Sequence, residues 1–130
     1  MAVPAGCERT RILFVDDDPQ ILNAMAVALA YHREWHVEVA LGGEAGLAAL
    51  ARARFDVVVT DLHMPAIDGR VILAAAKEAH PCAVRLVLTG ATRGMDGVDA
   101  DRVLIKPCTL AYLRSVIDEA LLVGGRAGGR

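Results

Sequence analysis

The chain has 130 residues, 55% hydrophobic and 23% charged, which suits one domain with a substantial core and leaves little room for a second. A formal net charge of -2, with acidic and basic residues mixed throughout, provides no basic stripe for direct nucleic-acid binding and no polybasic patch for a membrane surface. No apolar run approaches the ~20 residues that span a bilayer, and the N-terminus lacks a signal pattern, so a cytoplasmic protein with no membrane partner is expected.

Residues 1–10 read as a short flexible lead. Arg11 to Val15 is then an apolar run that stops at Asp16-Asp17-Asp18, a strand ending in acid. Asp18-Pro19 reads as a helix start, with Asp18 as N-cap and Pro19 at the first helical position, where a missing amide proton costs nothing. Ile21, Leu22, Met25 and Leu29 recur at helical spacing and predict a helix to about Arg33. His36 to Leu41 alternates as a strand until Gly42-Gly43 breaks it, and a helix is expected from about Glu44 to Arg54, with Leu47 and Leu50 inward.

Val57-Val58-Val59 is an unbroken β-branched run, as expected of a strand covered on both faces, and Asp61 follows at its end. Pro65 and Asp68-Gly69 turn the chain into a helix to about Ala79, which Pro81 terminates. Val84 to Leu88 ends at Thr89-Gly90, and Val103 to Ile105 ends at Lys106-Pro107. Thr109 is placed to cap a last helix with the core-facing stripe Leu110, Leu113, Val116, Ile117 and Leu121. The tail from 124 to 130 contains four glycines and reads as a disordered end or the start of a linker. Cys7, Cys82 and Cys108 are widely spaced and form no CxxC pair, which points to neither a disulfide framework nor a zinc site. His32, His36 and His80 sit at element ends and read as solvated.

Five apolar runs separated by long connections imply one parallel sheet between helical layers. Asp16, Asp17, Asp61, Thr89 and Lys106 then share its carboxyl edge, where open α/β sheets bind ligands.

In order and spacing these residues resemble the receiver domain of two-component response regulators, over residues 11–123. The likeness rests on Ile12-Leu13-Phe14-Val15-Asp16-Asp17-Asp18-Pro19, on Asp61-Leu62-His63-Met64-Pro65-Ala66-Ile67-Asp68-Gly69, on Thr89 and on Lys106-Pro107. It implies a flavodoxin-like doubly wound α/β fold with strand order 2-1-3-4-5, which sets Asp16 and Asp17 beside Asp61. It also implies transfer of a phosphoryl group from a histidine kinase or phosphotransfer protein to Asp61, giving 4-aspartylphosphate. Mg²⁺ would be held by Asp17, Asp61 and the backbone carbonyl of His63, with Asp16 acting mostly through water. Lys106, after a cis Lys-Pro bond, would contribute a fixed positive charge, and Thr89 would hydrogen-bond the new phosphoryl group. In the family, the side chain at the position of His63 is variable and modulates phosphoryl hydrolysis.

Output through an unknown downstream protein is expected, and a homodimer is left open. A constitutive pseudo-receiver is one alternative, although its signature, loss of Asp61, Lys106 or the acidic pair, is absent. The regulatory domain of a larger cyclic-dinucleotide phosphodiesterase is another, suggested by His80-Pro81 and Arg85-Leu86-Val87-Leu88-Thr89-Gly90. No catalytic domain fits in the chain, so enzymatic activity beyond self-phosphorylation and self-dephosphorylation is not expected.

The clearest departure from the family lies between Gly90 and Arg102, where receivers place a loop and a full fourth helix. Only 13 residues are available, and Gly90, Gly94, Gly97, Asp96, Asp99 and Asp101 disfavour helix. A loop, or at most one helical turn, is expected there. Val103 stands where many receivers carry an aromatic residue that rotates with phosphorylation, and the fourth helix borders the family's common output face, so output through another surface or through loop ordering around Thr89 is expected.

Overall fold

β1 (Thr10–Asp16), α1 (Pro19–Leu29), β2 (Trp35–Leu41), α2 (Gly43–Arg52), β3 (Val57–Thr60), α3 (Gly69–Ala79), β4 (Val84–Thr89), β5 (Arg102–Ile105) and α4 (Leu110–Val123) follow one another in a computed structural model that describes residues 10–31, 34–91 and 93–123. The strands pair in parallel in the order β2-β1-β3-β4-β5. This is the expected doubly wound topology, with β1 and β3 adjacent where the winding reverses.

The sheet separates two apolar layers. On one face Ile12, Phe14, Val57, Val59, Leu86, Leu88 and Leu104 meet Leu22 and Leu29 of α1 and Leu113, Val116 and Ile117 of α4. On the other, Leu13, Val15 and Val58 meet Ala49 and Leu50 of α2 and Ile72 and Ala76 of α3. Full burial of such a side chain contributes about 1.5–3 kcal/mol, so the alternation along β1 and β3 commits both faces to the core.

The helix starts follow local chemistry. Asp18 Oδ1 accepts the Gln20 amide at 2.9 Å, with Pro19 next to the cap. Asp68 does the same for α3 through the Arg70 amide at 2.8 Å, and Thr109 Oγ1 accepts the Tyr112 amide at 3.1 Å. Some expected boundaries shift. β1 begins at Thr10, inside the expected lead, because its amide donates to the Glu34 carbonyl at 2.9 Å. α1 ends at Leu29 rather than Arg33, and α2 runs from Gly43 to Arg52 rather than from Glu44 to Arg54. Residues 1–9 with Cys7, His32, Arg33 and the tail 124–130 lie outside the described residues.

Between Gly90 and Asp101 there is no helix among the described residues, as the glycine and aspartate content predicts. Gly94 (φ 68°) and Gly97 (φ 76°) adopt left-handed conformations that interrupt a helical path. The segment still covers the sheet, because Met95, Val98 and Ala100 pack on Leu62, Leu73 and Val87. Arg85, only 8% exposed, anchors its far end. Its Nη1 donates to the carbonyls of Leu73 (3.4 Å) and Asp99, and its Nη2 lies 3.5 Å from Asp99 Oδ1. The Arg85 amide donates to Asp101 Oδ2 at 2.7 Å. A buried guanidinium is tolerated only with its protons engaged, so the loop and the arginine stabilise one another.

β5 forms one edge of the sheet. Leu104 faces α4 and is buried, whereas Val103 and Ile105 on the opposite face are 41% and 45% exposed. Leu104→Ala is expected to lower unfolding free energy by about 2–5 kcal/mol and Val103→Ala by no more than about 0.5 kcal/mol, as read by urea denaturation. Equal losses would show that β5 is not docked in this orientation.

Candidate functional site

Strand register assembles the polar residues. Val15 lies opposite Thr60, and the Asp61 amide donates to the Val15 carbonyl at 2.9 Å, so Asp16 and Asp61 leave adjacent strands side by side. Thr89 pairs with Ile105, and the Lys106 amide donates to the Thr89 carbonyl at 2.7 Å, which brings Lys106 to the same edge. Asp16, Asp17 and Asp61 each present a carboxylate oxygen within 4.8 Å of the others. Asp16 and Asp61 are buried and Asp17 is exposed.

Lys106 Nζ reaches into this cluster, 3.1 Å from Asp16 Oδ2 and 3.5 Å from Asp61 Oδ2. Burial pushes the Asp61 carboxyl above its usual range. The Lys106 ammonium opposes that shift, and the neighbouring carboxylates Asp16 and Asp17 reinforce it. Burial also works against the charged form of Lys106, but hydrogen bonding and attraction to Asp16 and Asp61 outweigh it and leave the lysine above its ordinary value. The Lys106-Pro107 bond is cis. Asp16 also accepts the Asp18 amide through Oδ1 at 2.9 Å, which fixes its carboxylate in the strand-to-helix turn.

Thr89 is fully buried, and its hydroxyl donates to the Ala91 carbonyl at 3.2 Å. The His63 side chain is exposed, and its ring lies beside Gly94, where an added Cβ would stand 3.5 Å from Cε1. Cys108 is partly buried against the core, and burial pushes its thiol up, in keeping with a packed residue. His80 corrects the expectation of a solvated side chain. Its ring meets Phe55 edge-on at 6.5 Å, and Nε2 is buried without a hydrogen-bond partner among the described residues. His36 is half-buried rather than freely solvated, because it lies within β2.

The loop from β3 to α3 fixes the Asp61 backbone. The Thr60 hydroxyl donates to the Asp61 carbonyl at 2.8 Å, and the Gly69 amide donates to the Leu62 carbonyl at 2.7 Å. A Cβ on Gly69 would fall 2.2 Å from the Asp61 carbonyl oxygen, so only glycine allows α3 to start this close to the strand end.

The response regulator receiver domain family matches residues 12–118. The chain belongs to this family. It is 35% identical to the transcriptional regulatory protein TrcR of Mycobacterium tuberculosis, an alignment covering 88% of this chain and 51% of TrcR. The chain thus spans about half the length of that relative. In fold it is similar to a CheY-like response regulator receiver domain protein from Methanospirillum hungatei, with a TM-score of 0.84, 26% identity and coverage of 92% of this chain and 99% of that one. It is also similar to the response regulator TrrA of Thermotoga maritima, solved in complex with Mg²⁺-BeF, with a TM-score of 0.76, 25% identity and coverage of 85% and 97%. Receiver domains bind Mg²⁺ at an acidic pocket, and the Asp16, Asp17 and Asp61 cluster occupies the carboxyl edge here. No helix among the described residues is long and apolar enough to cross a membrane.

Three residues of this receiver escape a reading based on strand ends. Gly69 reads in sequence as a turn residue, with no sign of its contact with Asp61. Arg70 reads as an ordinary helix residue, although it bonds Asp68 and the carbonyls of Gly94 and Asp96. Arg85 stands inside the apolar run Val84 to Leu88, and a lone arginine in a strand buried on both faces is the available signal of a paired internal cation.

Gly69→Ala is expected to lower stability by about 1–3 kcal/mol through overpacking against Asp61, measurable by urea unfolding. A stability equal to wild type would show that the approach is not limiting. The raised Asp61 pKa means that the folded state holds this proton more tightly than the unfolded chain does. Stability is then lost as pH rises from the ordinary carboxylate range through the folded value. Without divalent cations, Asp61→Asn is expected to melt above wild type at about pH 7, with the gap closing near about pH 4. A gap that widens toward acid contradicts the direction of the shift.

Proposed function

We propose that this receiver domain is a phosphoacceptor switch in which Asp61 takes a phosphoryl group from the phosphohistidine of a histidine kinase or phosphotransfer protein. The observation that carries the reading is the meeting of Asp16, Asp17, Asp61 and Lys106 at one sheet edge, with the Lys106 ammonium between the two buried carboxylates. In the transfer an Asp61 oxygen bonds to phosphorus while the bond from phosphorus to the imidazole nitrogen breaks, and its electron pair returns to the ring. Lys106 is placed to hold a phosphoryl oxygen as charge moves onto the site. Thr89, whose hydroxyl now serves Ala91, is the nearby donor that could exchange that partner for the phosphoryl group.

The donor set suits Mg²⁺. Asp16, Asp17, Asp61 and the His63 carbonyl offer only oxygen, the ligand type Mg²⁺ prefers, and few protein donors leave room for its waters. Asp17 and Asp61 would be direct ligands, and Asp16 would act mostly through water. When bound, the ion neutralises charge on phosphoryl oxygens. Output runs through contact with a downstream protein, in keeping with a net charge of -2 that gives no electrostatic footprint for nucleic acid.

Incubation with acetyl phosphate and Mg²⁺ is expected to add the mass of one phosphate to the wild-type protein and none to Asp61→Asn. Equal gain by the variant would place the acceptor elsewhere. Asp17→Ala is expected to weaken Mg²⁺ binding in a calorimetric titration, and an unchanged affinity would remove Asp17 from the ligand set.

A further inference from the structure

The β3–α3 loop that bears Asp61 and the helix-less β4–β5 loop are joined by one side chain. Arg70, the second residue of α3, gives Nη1 to both oxygens of Asp68 at 3.1 and 3.2 Å, Nε to the Asp96 carbonyl at 2.8 Å and Nη2 to the Gly94 carbonyl. All three guanidinium nitrogens are engaged, two of them across a gap of more than twenty residues in sequence. A planar fork can serve separated acceptors in this way, whereas an ammonium supplies a single point of contact.

Apart from Met95, which packs on the Leu62, Leu73 and Val87 cluster, the gripped part of the loop is held by few backbone bonds. Gly94 and Gly97 are both left-handed, and the backbone bond from the Val98 amide to the Met95 carbonyl is 3.1 Å long. Farther on, the chain is tied independently, by Arg85 and by Lys77, whose Nζ lies 3.0 Å from Asp99 Oδ2. The portion held by Arg70 is also the portion that lies beside His63, whose backbone carbonyl belongs to the proposed cation site. Gly94 lies against the His63 ring, and His63 is two residues beyond Asp61.

We propose that Arg70 is a positioning residue that latches the β4–β5 loop beside His63 and thereby sets how fast water removes a phosphoryl group from Asp61. The inference rests on the reading of Asp61 as phosphoacceptor. In that hydrolysis the water oxygen bonds to phosphorus, and the bond from phosphorus to the Asp61 oxygen breaks with its electron pair returning to the carboxylate. Both water protons leave on inorganic phosphate. With the latch closed, Gly94 and its neighbours screen the His63 side of the carboxylate. With it open, water gains that approach, and phosphoryl lifetime shortens.

The test uses the full chain phosphorylated with acetyl phosphate and Mg²⁺, with phosphate followed by intact mass and loop protection by amide hydrogen exchange. Arg70→Gln is expected to lose phosphate several-fold faster than wild type while gaining it at the wild-type rate. Its amides over residues 93–97 should exchange faster, with those of the sheet unchanged. Arg70→Lys keeps the charge but loses the fork, so it should shift the same way, and it decides the matter if Arg70→Gln does not fold. Lys77→Gln, at the far anchor, should loosen the chain near Asp99 and leave phosphate loss at the wild-type rate. Wild-type phosphate loss in both Arg70 variants overturns the proposal, as does unchanged exchange over residues 93–97. A wild-type chain that gains no phosphate mass is a different failure, because it removes the phosphoacceptor reading and the inference falls with it.

Discussion

An ammonium held between two buried carboxylates makes the carboxyl edge of this sheet tenable. Asp16, Asp17 and Asp61 crowd carboxylate oxygens within 4.8 Å of one another, and like charges at that spacing in a partly desolvated cleft repel. Lys106 relieves the repulsion with a charge delivered from 90 residues away from Asp16 in sequence. A parallel sheet is what makes that delivery cheap, since every strand ends on the same side and four of the five can contribute groups without a special loop. Burial nevertheless keeps the Asp61 carboxyl above its usual range, with Lys106 opposing that rise and Asp16 and Asp17 adding to it.

The β4–β5 segment shows how a layer can be covered without regular structure. Three apolar residues, Met95, Val98 and Ala100, complete the packing over Leu62, Leu73 and Val87. Around them, backbone carbonyls that a helix would satisfy internally are taken by arginines rooted in other elements. The energetic origin of order differs accordingly. A helix is held by bonds between near neighbours in sequence, whereas this coil is held by side chains of α3 and β4, and its geometry therefore reports the state of those elements.

The parts of the molecule legible in sequence share a cause. β-branched runs, the Asp18-Pro19 cap, the Thr109 cap and the polar residues at strand ends are local patterns, and parallel connectivity converts them into a common edge. The lack of a helix after β4 was equally local, written in Gly94, Gly97 and the neighbouring aspartates. Contacts set by three-dimensional closeness were not legible. Nothing in the run Asp68-Gly69-Arg70 indicates that glycine touches the Asp61 carbonyl, or that the arginine turns toward Gly94 and Asp96. The end of α1 at Leu29 is not marked locally, because Ala30 keeps helical dihedrals and still donates to the Ala26 carbonyl. His80 shows that an element end need not be a wet position when Phe55 lies against it.

The open flank of the sheet carries a consequence for behaviour in concentrated solution. β5 is an edge strand whose outer face shows Val103 and Ile105, and an exposed edge with apolar side chains is a template for unwanted strand addition and eventual aggregation. Its brevity limits the hazard. This strand spans only residues 102–105, with charged residues Asp101 and Arg102 at one end and Lys106 and Pro107 at the other, so an incoming strand finds few backbone groups in register before it meets charge or a proline. On this flank of the sheet, resistance to strand addition therefore depends on the shortness of one four-residue strand.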